Sequence, residues 1–132
     1  MEINAFQEQG RVLVTILEIQ GNVDSSTADQ LRQRAMDALK SGARDLVLDF
    51  THVKYVSSAG LRVLNELFNQ LHPEALHKDY TATVKGVTDG TFHSPHLKLC
   101  GINSNVLQVI KMAGFDMYLD IRHDRRSAVA AF

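Results

Sequence analysis

Apolar runs typical of β-strands alternate along this chain with segments of helical periodicity, and this alternation limits the fold more than any other feature. Residues 11–20 (RVLVTILEIQ) and residues 45–50 (DLVLDF) are strand-like runs rich in aliphatic side chains. Between them, Leu31, Ala35 and Leu39 recur at helical spacing. A helix between two strands predicts a right-handed crossover and a parallel, largely buried strand pair. The sequence therefore predicts an α/β domain.

Most of the rest of the chain also alternates between predicted strands and predicted helices. Asp24, Ser25 or Ser26 can cap a first helix that begins near Thr27, and Gly42 is a natural C-terminal cap. The other predicted elements are strands at 3–8, 97–102 and 117–121, a second helix that follows residues 57–61 and ends at Pro73, a third helix capped by Asn103 or Ser104 and closed by Gly114, and a final helix at 126–132. The expected fold is a mixed, mostly parallel sheet of four to five strands with about four helices.

Size and composition exclude several classes of protein. The 132 residues form one domain, 1–132, without needing metal or disulfides to fold. The net charge of −1 argues against a nucleic-acid binder, and no apolar run reaches the roughly 20 residues of a membrane span. The first residues lack the pattern of a secretory leader, and the single Cys100 excludes an internal disulfide. We expect a cytoplasmic protein.

Residues 73–95 do not follow the α/β rhythm and are predicted to form an insertion or a long loop. Four of the six histidines lie in or beside this stretch, but their spacing is not that of a helical zinc pair. His93 and His96 could share a metal only if the loop folds back, and solvated loop histidines are the simpler interpretation. We expect no metal site and no cofactor.

Two serines, Ser57 and Ser58, stand between a predicted strand and a predicted helix. The start of a helix has unpaired N–H groups and partial positive charge, so it accepts a phosphate. Ser58 could therefore accept and hold a phosphoryl group, with Gly60 giving a partner's backbone close access. The alternative is that Ser57 or Ser58 is simply an N-cap of the helix. Both interpretations hold if one serine caps the helix while the other faces solvent. Asp24 and Asp49 lie close to the ends of predicted strands and are expected at the same edge of the domain as Ser58. The alternative is that Asp24 is an N-cap and that Asp49 is a strand-end residue bonded to the following loop.

The sequence does not favour an enzyme. The Gly-x-Ser-x-Gly pattern of a nucleophile elbow is absent, and nothing in the sequence positions a histidine as a base for Ser58. Neither a Gly-x-Gly-x-x-Gly motif nor a Walker A loop occurs. We expect a protein without catalytic residues of its own.

Three segments in the right order resemble the STAS domain family. They are residues 21–31 (GNVDSSTADQL), residues 46–62 with the run VKYVSSAGLR, and the third helix with its exit at 112–115. The resemblance implies a STAS-like fold, and the 73–95 insertion is a departure from the compact members of the family. It also implies the function of the stand-alone bacterial members, which are anti-sigma factor antagonists.

In that family a partner kinase, which is also the anti-sigma factor, phosphorylates the serine two places before the Gly-Leu pair, and here that serine is Ser58. A serine phosphatase reverses the modification. The sequence departs from many phosphorylated members in having Ser57 in place of Asp and Ala59 in place of Ser or Thr. The expected protein is a monomer or weak dimer that binds neither nucleic acid nor membrane. The partner-binding residues that the resemblance implies are Asn22, Asp24, Ser25, Thr27, Ser57, Ser58, Ala59, Gly60, Leu61 and Arg62.

Two other hypotheses remain open at this point. One is a STAS scaffold or accessory subunit that is not phosphorylated, as in stressosome-like or lipid-transport assemblies. The other is a ligand sensor that uses the 73–95 insertion with its histidines or with Tyr80 and Phe92.

Overall fold

The computed structural model describes residues 1–71, 96–117 and 119–132. Within these ranges the chain forms one five-stranded sheet with the strands in sequence order. The strands are β1 (Glu2–Gln9), β2 (Leu13–Gln20), β3 (Leu46–His52), β4 (Leu97–Cys100) and β5 (Asp120–Arg122). The helices are α1 (Ala28–Lys40), α2 (Ser58–Leu71), α3 (Ser104–Met112) and α4 (Arg125–Ala130), with a 3-10 helix at Phe115–Met117.

The sheet is mixed and mostly parallel. β1 and β2 form an antiparallel pair, whereas β2, β3, β4 and β5 run parallel to one another. The predicted parallel pairing of β2 with β3 is therefore confirmed. Every residue of β4 and the first five of β3 are buried, as expected for central parallel strands covered on both faces.

Alternate residues along the central strands belong to two separate apolar clusters, because successive side chains of a strand point to opposite faces. Leu17 and Leu48 pack with buried residues of α1, α2 and α3 in the larger cluster. Ile16 and Val47 pack instead with Ala128 and Val129, and the latter two belong to α4. The sheet thus has a broad helical face and a second face covered by the short α4.

Several predicted helix ends are confirmed. α1 ends in a Schellman motif, in which the N–H groups of Gly42 and Ala43 donate to the carbonyl oxygens of Leu39 and Ala38 at 3.0 and 3.1 Å. Gly42 has φ 106°, a left-handed conformation that favours glycine. Asn103 caps α3 by accepting the N–H of Val106 at 2.8 Å.

Two predictions near the end of the chain were wrong in detail. The segment predicted as a strand from residue 117 begins as a 3-10 helix at Phe115–Met117, and β5 starts only at Asp120. The final helix begins at Arg125 because Asp124 caps it by accepting the N–H of Ser127 at 2.8 Å. The predicted insertion at 73–95, with its histidines, Tyr80 and Phe92, lies outside the described residues.

Candidate functional site

α2 begins beside the turn that precedes α1. Val23 and Val56 form an isolated parallel bridge, and the N–H of Ser57 donates to the carbonyl oxygen of Val23 at 2.8 Å. The N–H of Leu61 donates to the carbonyl oxygen of Ser57 at 3.0 Å, so Ser57 is the N-cap residue of α2. These bonds bring together residues 21–31 and 53–62, which lie about thirty positions apart in the sequence.

Ser58 is the first residue of α2, and its side chain is exposed. Its hydroxyl has no hydrogen-bond partner among the described residues. The first turn of α2 contains no acidic residue, so the partial positive charge of the helix start is not offset locally. The prediction that one of the two serines faces solvent is confirmed, and the exposed one is Ser58.

The neighbouring Ser57 is in the opposite situation. Its Oγ is buried and has no hydrogen-bond partner in the described part of the chain. Ser57 therefore caps α2 through its backbone alone, and the side-chain cap that the sequence suggested is not formed. Of the two hydroxyls, only that of Ser58 is open to solvent.

The 22–27 turn is held by its own side chains. One carboxylate oxygen of Asp24 accepts the N–H of Ser26 at 2.9 Å and the hydroxyl of Ser26 at 2.6 Å. Hydrogen bonds from the Ser26 hydroxyl, and then from its N–H, lower the pKa of Asp24. The hydroxyl of Thr27 donates to the carbonyl oxygen of Asn22 at 2.7 Å. Asp24 and Thr27 thus shape the turn, while Asn22 and Ser25 are exposed.

This geometry corrects the prediction that Asp24, Ser25 or Ser26 caps α1. The N-cap residue is Thr27, and it makes no side-chain cap bond. Asp24 instead contributes its backbone, because its carbonyl oxygen accepts the N–H groups of Thr27 and Ala28 at 3.1 and 2.8 Å.

Gly60 lies on the inner side of α2 and is buried. A Cβ at this position would lie 2.7 Å from Cγ1 of Val56 and 2.8 Å from Cγ1 of Val23. The absence of a side chain therefore lets α2 pack closely on the Val23–Val56 bridge. The expectation that Gly60 gives a partner's backbone access was wrong, because the space is filled from within. Ala59 and Leu61 are partly buried and pack against the larger cluster.

Among the described residues, Asp49 makes no hydrogen bond or ion pair with the 22–27 turn or with Ser58, and its carboxylate is bonded to the residues that directly follow it in the chain, in line with the alternative interpretation. Its carboxylate accepts the hydroxyl of Thr51 at 2.5 Å and a nitrogen of Arg125 at 2.9 Å, on the α4 face of the sheet. Burial by itself would raise the pKa of Asp49, but the hydrogen bonds from Thr51 and Arg125 outweigh it and lower the pKa. The carboxylate of Asp49 is thus bound within the fold by Thr51 and Arg125.

The thiol of Cys100 and the imidazole of His96 also lie beside groups of the same chain. Burial, with the nearby Asp49 carboxylate, raises the pKa of Cys100 to about 12, so this thiol stays protonated. Nδ1 of His96 lies 3.0 Å from a carboxylate oxygen of Asp45. Residues 1–71, 96–117 and 119–132 contain no cluster of metal-ligating side chains, and His93 lies outside them.

Comparison with protein-family models matches residues 5–76 to the STAS domain. The chain belongs to the STAS domain family. The match includes both the 22–27 turn and the start of α2.

Several proteins that are similar to this chain are named as anti-sigma factor antagonists. A candidate anti-sigma factor antagonist, BtrV of Bordetella bronchiseptica, is 32% identical to this STAS domain over 114 residues, which cover 86% of the chain and 82% of the relative. Among solved structures, an anti-sigma factor antagonist from Mycobacterium paratuberculosis aligns with a TM-score of 0.70 at 17% identity, over 98% of this chain and 93% of that one. The phosphorylated form of SpoIIAA from Bacillus aligns with a TM-score of 0.61 at 12% identity, over 96% of each chain. The structural matches confirm the predicted STAS-like α/β fold.

Sequence reasoning missed two features of this STAS domain. Tyr55, in the loop before α2, is 51% exposed although it is a large aromatic residue. Asn103 caps α3 and also donates its amide to the carbonyl oxygens of Val53 and Lys54, each at 3.2 Å, so α3 holds the loop that leads to Ser58. The VKYVSS run shows that an aromatic residue, Tyr55, precedes the helix. The hydrogen bonds from Asn103 span about fifty residues, so no local sequence pattern predicts them.

No helix among the described residues is long and apolar enough to cross a membrane.

Proposed function

We propose that this STAS domain is an anti-sigma factor antagonist that binds a kinase-type anti-sigma factor and is turned off by phosphorylation of Ser58. The observation that supports the proposal most directly is the exposed hydroxyl of Ser58, the first residue of α2, which has no hydrogen-bond partner in the described part of the chain. The names of BtrV and of the structural neighbours support the same class of protein.

The contrast between the two serines supports Ser58 as the acceptor. A kinase must reach a hydroxyl oxygen and align it with a phosphoryl group. The Oγ of Ser57 is buried beneath its neighbours, whereas Ser58 is exposed. The kinase would transfer the phosphoryl group of its nucleotide to the Oγ of Ser58, and a serine phosphatase would hydrolyse the ester. The domain itself supplies a binding surface.

The exposed residues around Ser58 are the proposed contact surface. Asn22 and Ser25 lie on the turn beside α2, and Tyr55 precedes the helix. Tyrosine is one of the residue types enriched among those that contribute most to binding in protein interfaces. The other residues that the resemblance implied would act indirectly, since they form the turn or pack the start of α2. They are Asp24, Thr27, Ser57, Ala59, Gly60 and Leu61, whereas Arg62 is exposed and belongs to the proposed contact surface.

A phosphate on Ser58 would change the charge of this surface without unfolding it. Phosphorylation adds a charge of about −2 and strong acceptor oxygens. The start of α2 would stabilise that charge within the domain. A partner surface formed around a neutral hydroxyl, with Asp24 nearby, would instead meet repulsion and a desolvation cost. A loss of about 3 kcal/mol corresponds to more than a hundredfold weaker binding.

The test is isothermal titration of the purified kinase-type anti-sigma factor with Ser58→Ala, Ser58→Asp and a matched control. Ser104→Asp is the control because Ser104 is also an exposed first residue of a helix, α3. We expect Ser58→Ala and Ser104→Asp to bind as the wild type does, and Ser58→Asp to bind at least about tenfold more weakly. Wild-type affinity for Ser58→Asp contradicts the proposal.

A second measurement separates the proposal from that of an unphosphorylated scaffold. Incubation with the kinase and ATP should add one phosphate to the wild type and none to Ser58→Ala, as read by intact-protein mass spectrometry. A wild-type chain that binds the kinase but gains no phosphate would favour the scaffold.

A further inference from the structure

A basic residue lies one helical turn after Ser58. Arg62 is four positions further along α2, and residues four apart lie on the same face of a helix, with Cβ atoms about 6 Å apart. Both side chains are exposed. The guanidinium of Arg62 therefore has free access to a group attached to the Oγ of Ser58.

Arg62 differs from most other arginines of the chain in having no hydrogen bond or ion pair with any described residue. Arg34 donates to the carbonyl oxygen of Ile3, and Arg125 is bound by carboxylates. The acidic residue one turn beyond Arg62 is Glu66, and its carboxylate lies 3.8 Å from a nitrogen of Arg32 on α1. Since α2 has no acidic residue in its first turn, nothing described on this helix competes for Arg62 from the side of Ser58.

We propose that Arg62 binds the phosphate of phosphorylated Ser58 within the same chain. The inference rests on the proposed modification of Ser58 and adds how the modified state is held. The planar guanidinium of arginine can donate two parallel hydrogen bonds to phosphate oxygens, and the unpaired N–H groups of the first turn of α2 face the same charge.

This contact would change the surface in two ways at once. Unmodified, Ser58 and Arg62 together carry a charge of about +1, and the phosphate changes it to about −1. The guanidinium of Arg62 would then be bound to the phosphate. It would no longer be available to pair with a carboxylate of the partner. Phosphorylation would thus remove a binding group as well as add a repulsive one.

The experiment uses the full chain with phosphoserine incorporated at position 58 during synthesis, so that neither kinase nor partner is needed. The probe is the phosphate itself, whose second ionisation, at about pH 6, is followed by phosphorus NMR during a pH titration. A nearby positive charge favours the doubly ionised form. We expect Arg62→Gln to decrease the second acid dissociation constant by roughly two- to fivefold.

Two further variants identify the cause. Arg62→Lys keeps the charge but loses the planar fork, and we expect a value between those of the wild type and Arg62→Gln. Arg44→Gln is the matched control, because Arg44 is exposed and precedes β3 at the other end of the sheet, and we expect no change. The difference between wild type and Arg62→Gln should also shrink as salt is raised.

Equal dissociation constants for the wild type and Arg62→Gln would overturn this inference. That result leaves the proposed function intact, since Ser58→Asp tests the function through partner binding alone. Conversely, Arg62 can hold the phosphate of a synthetic phosphoprotein even if no partner responds to Ser58.

Discussion

The two regions on either side of β3 use polar side chains in opposite ways. On the α4 face, Arg125 binds the carboxylates of Asp49 and Glu18, and its Cζ lies 4.9 Å from the ring centre of Phe6. At the start of α2, Ser58 and Arg62 are exposed and have no partner among the described residues. Polar groups that are satisfied internally stabilise the fold, whereas groups left open can bind a second molecule.

A second ion pair extends the network on the α4 face. Lys98 is only 3% exposed, and its Nζ lies 2.5 Å from a carboxylate oxygen of Asp120 and 4.8 Å from the ring centre of Phe132. Buried charges are tolerated only when they are paired in this way. The charges of the α4 face are therefore paired within the fold, whereas Ser58 and Arg62 have no partner among the described residues.

The largest expected effect comes from breaking the network on the α4 face. Arg125→Met leaves the carboxylate of Asp49, whose side chain is 6% exposed, without its positive partner. We expect the free energy of unfolding to fall by about 3 kcal/mol in urea denaturation. Arg126→Gln, an exposed change on the same helix, is the control and should alter stability by less than about 0.5 kcal/mol.

The same pair predicts a pH dependence. Because the pKa of Asp49 is lowered below 3.8 in the folded state, its stabilising contribution is present above pH 3.8 and is lost as the pH falls through the folded-state value. The difference between wild type and Arg125→Met should shrink over that acidic range. A difference that stays constant into acid would mean that Arg125 acts through packing and not through its charge.

A smaller effect is expected where α2 packs on the Val23–Val56 bridge. Gly60→Ala should lower the free energy of unfolding by about 2 kcal/mol, because the new Cβ would lie within 3.0 Å of both valines. Helix propensity alone predicts the opposite sign, since alanine is favoured over glycine within helices. Urea denaturation of Gly60→Ala decides between the packing and the propensity effects, with the exposed Arg62→Ala as a control. A Gly60→Ala variant more stable than the wild type would show that α2 can shift to accommodate the new Cβ.

The smallest effects are expected at the two serines. Ser57→Ala removes a buried hydroxyl that has no partner among residues 1–71, 96–117 and 119–132, so stability should stay constant or rise by up to about 1 kcal/mol. Loss of a side-chain N-cap would instead cost about 1 kcal/mol. Ser58→Ala should change stability by less than about 0.5 kcal/mol because the side chain is exposed. Thermal unfolding of both variants measures these differences, and a clear loss for Ser57→Ala would mean that its hydroxyl does cap α2.

Local patterns predicted most of the fold. Glycine and asparagine caps fixed helix ends at Gly42 and Asn103, because capping depends on residues next to each other in the chain. The start of β5 was missed because the preceding residues form a 3-10 helix at Phe115–Met117, after which the N–H of Leu119 donates to the carbonyl oxygen of Phe115 at 2.9 Å. A single short turn of this kind leaves little trace in hydrophobic periodicity.

The sequence by itself determined the α/β class, the STAS resemblance and the position of Ser58 at the start of a helix. These follow from periodicity and from short motifs, which involve neighbouring residues. Only the tertiary structure decided which serine is open, that Gly60 serves packing, and that Asp49 belongs to Arg125 and not to the site. The reason is physical: burial and ion pairing depend on which elements meet across the sheet, and Asp49 and Arg125 lie 76 positions apart in the chain.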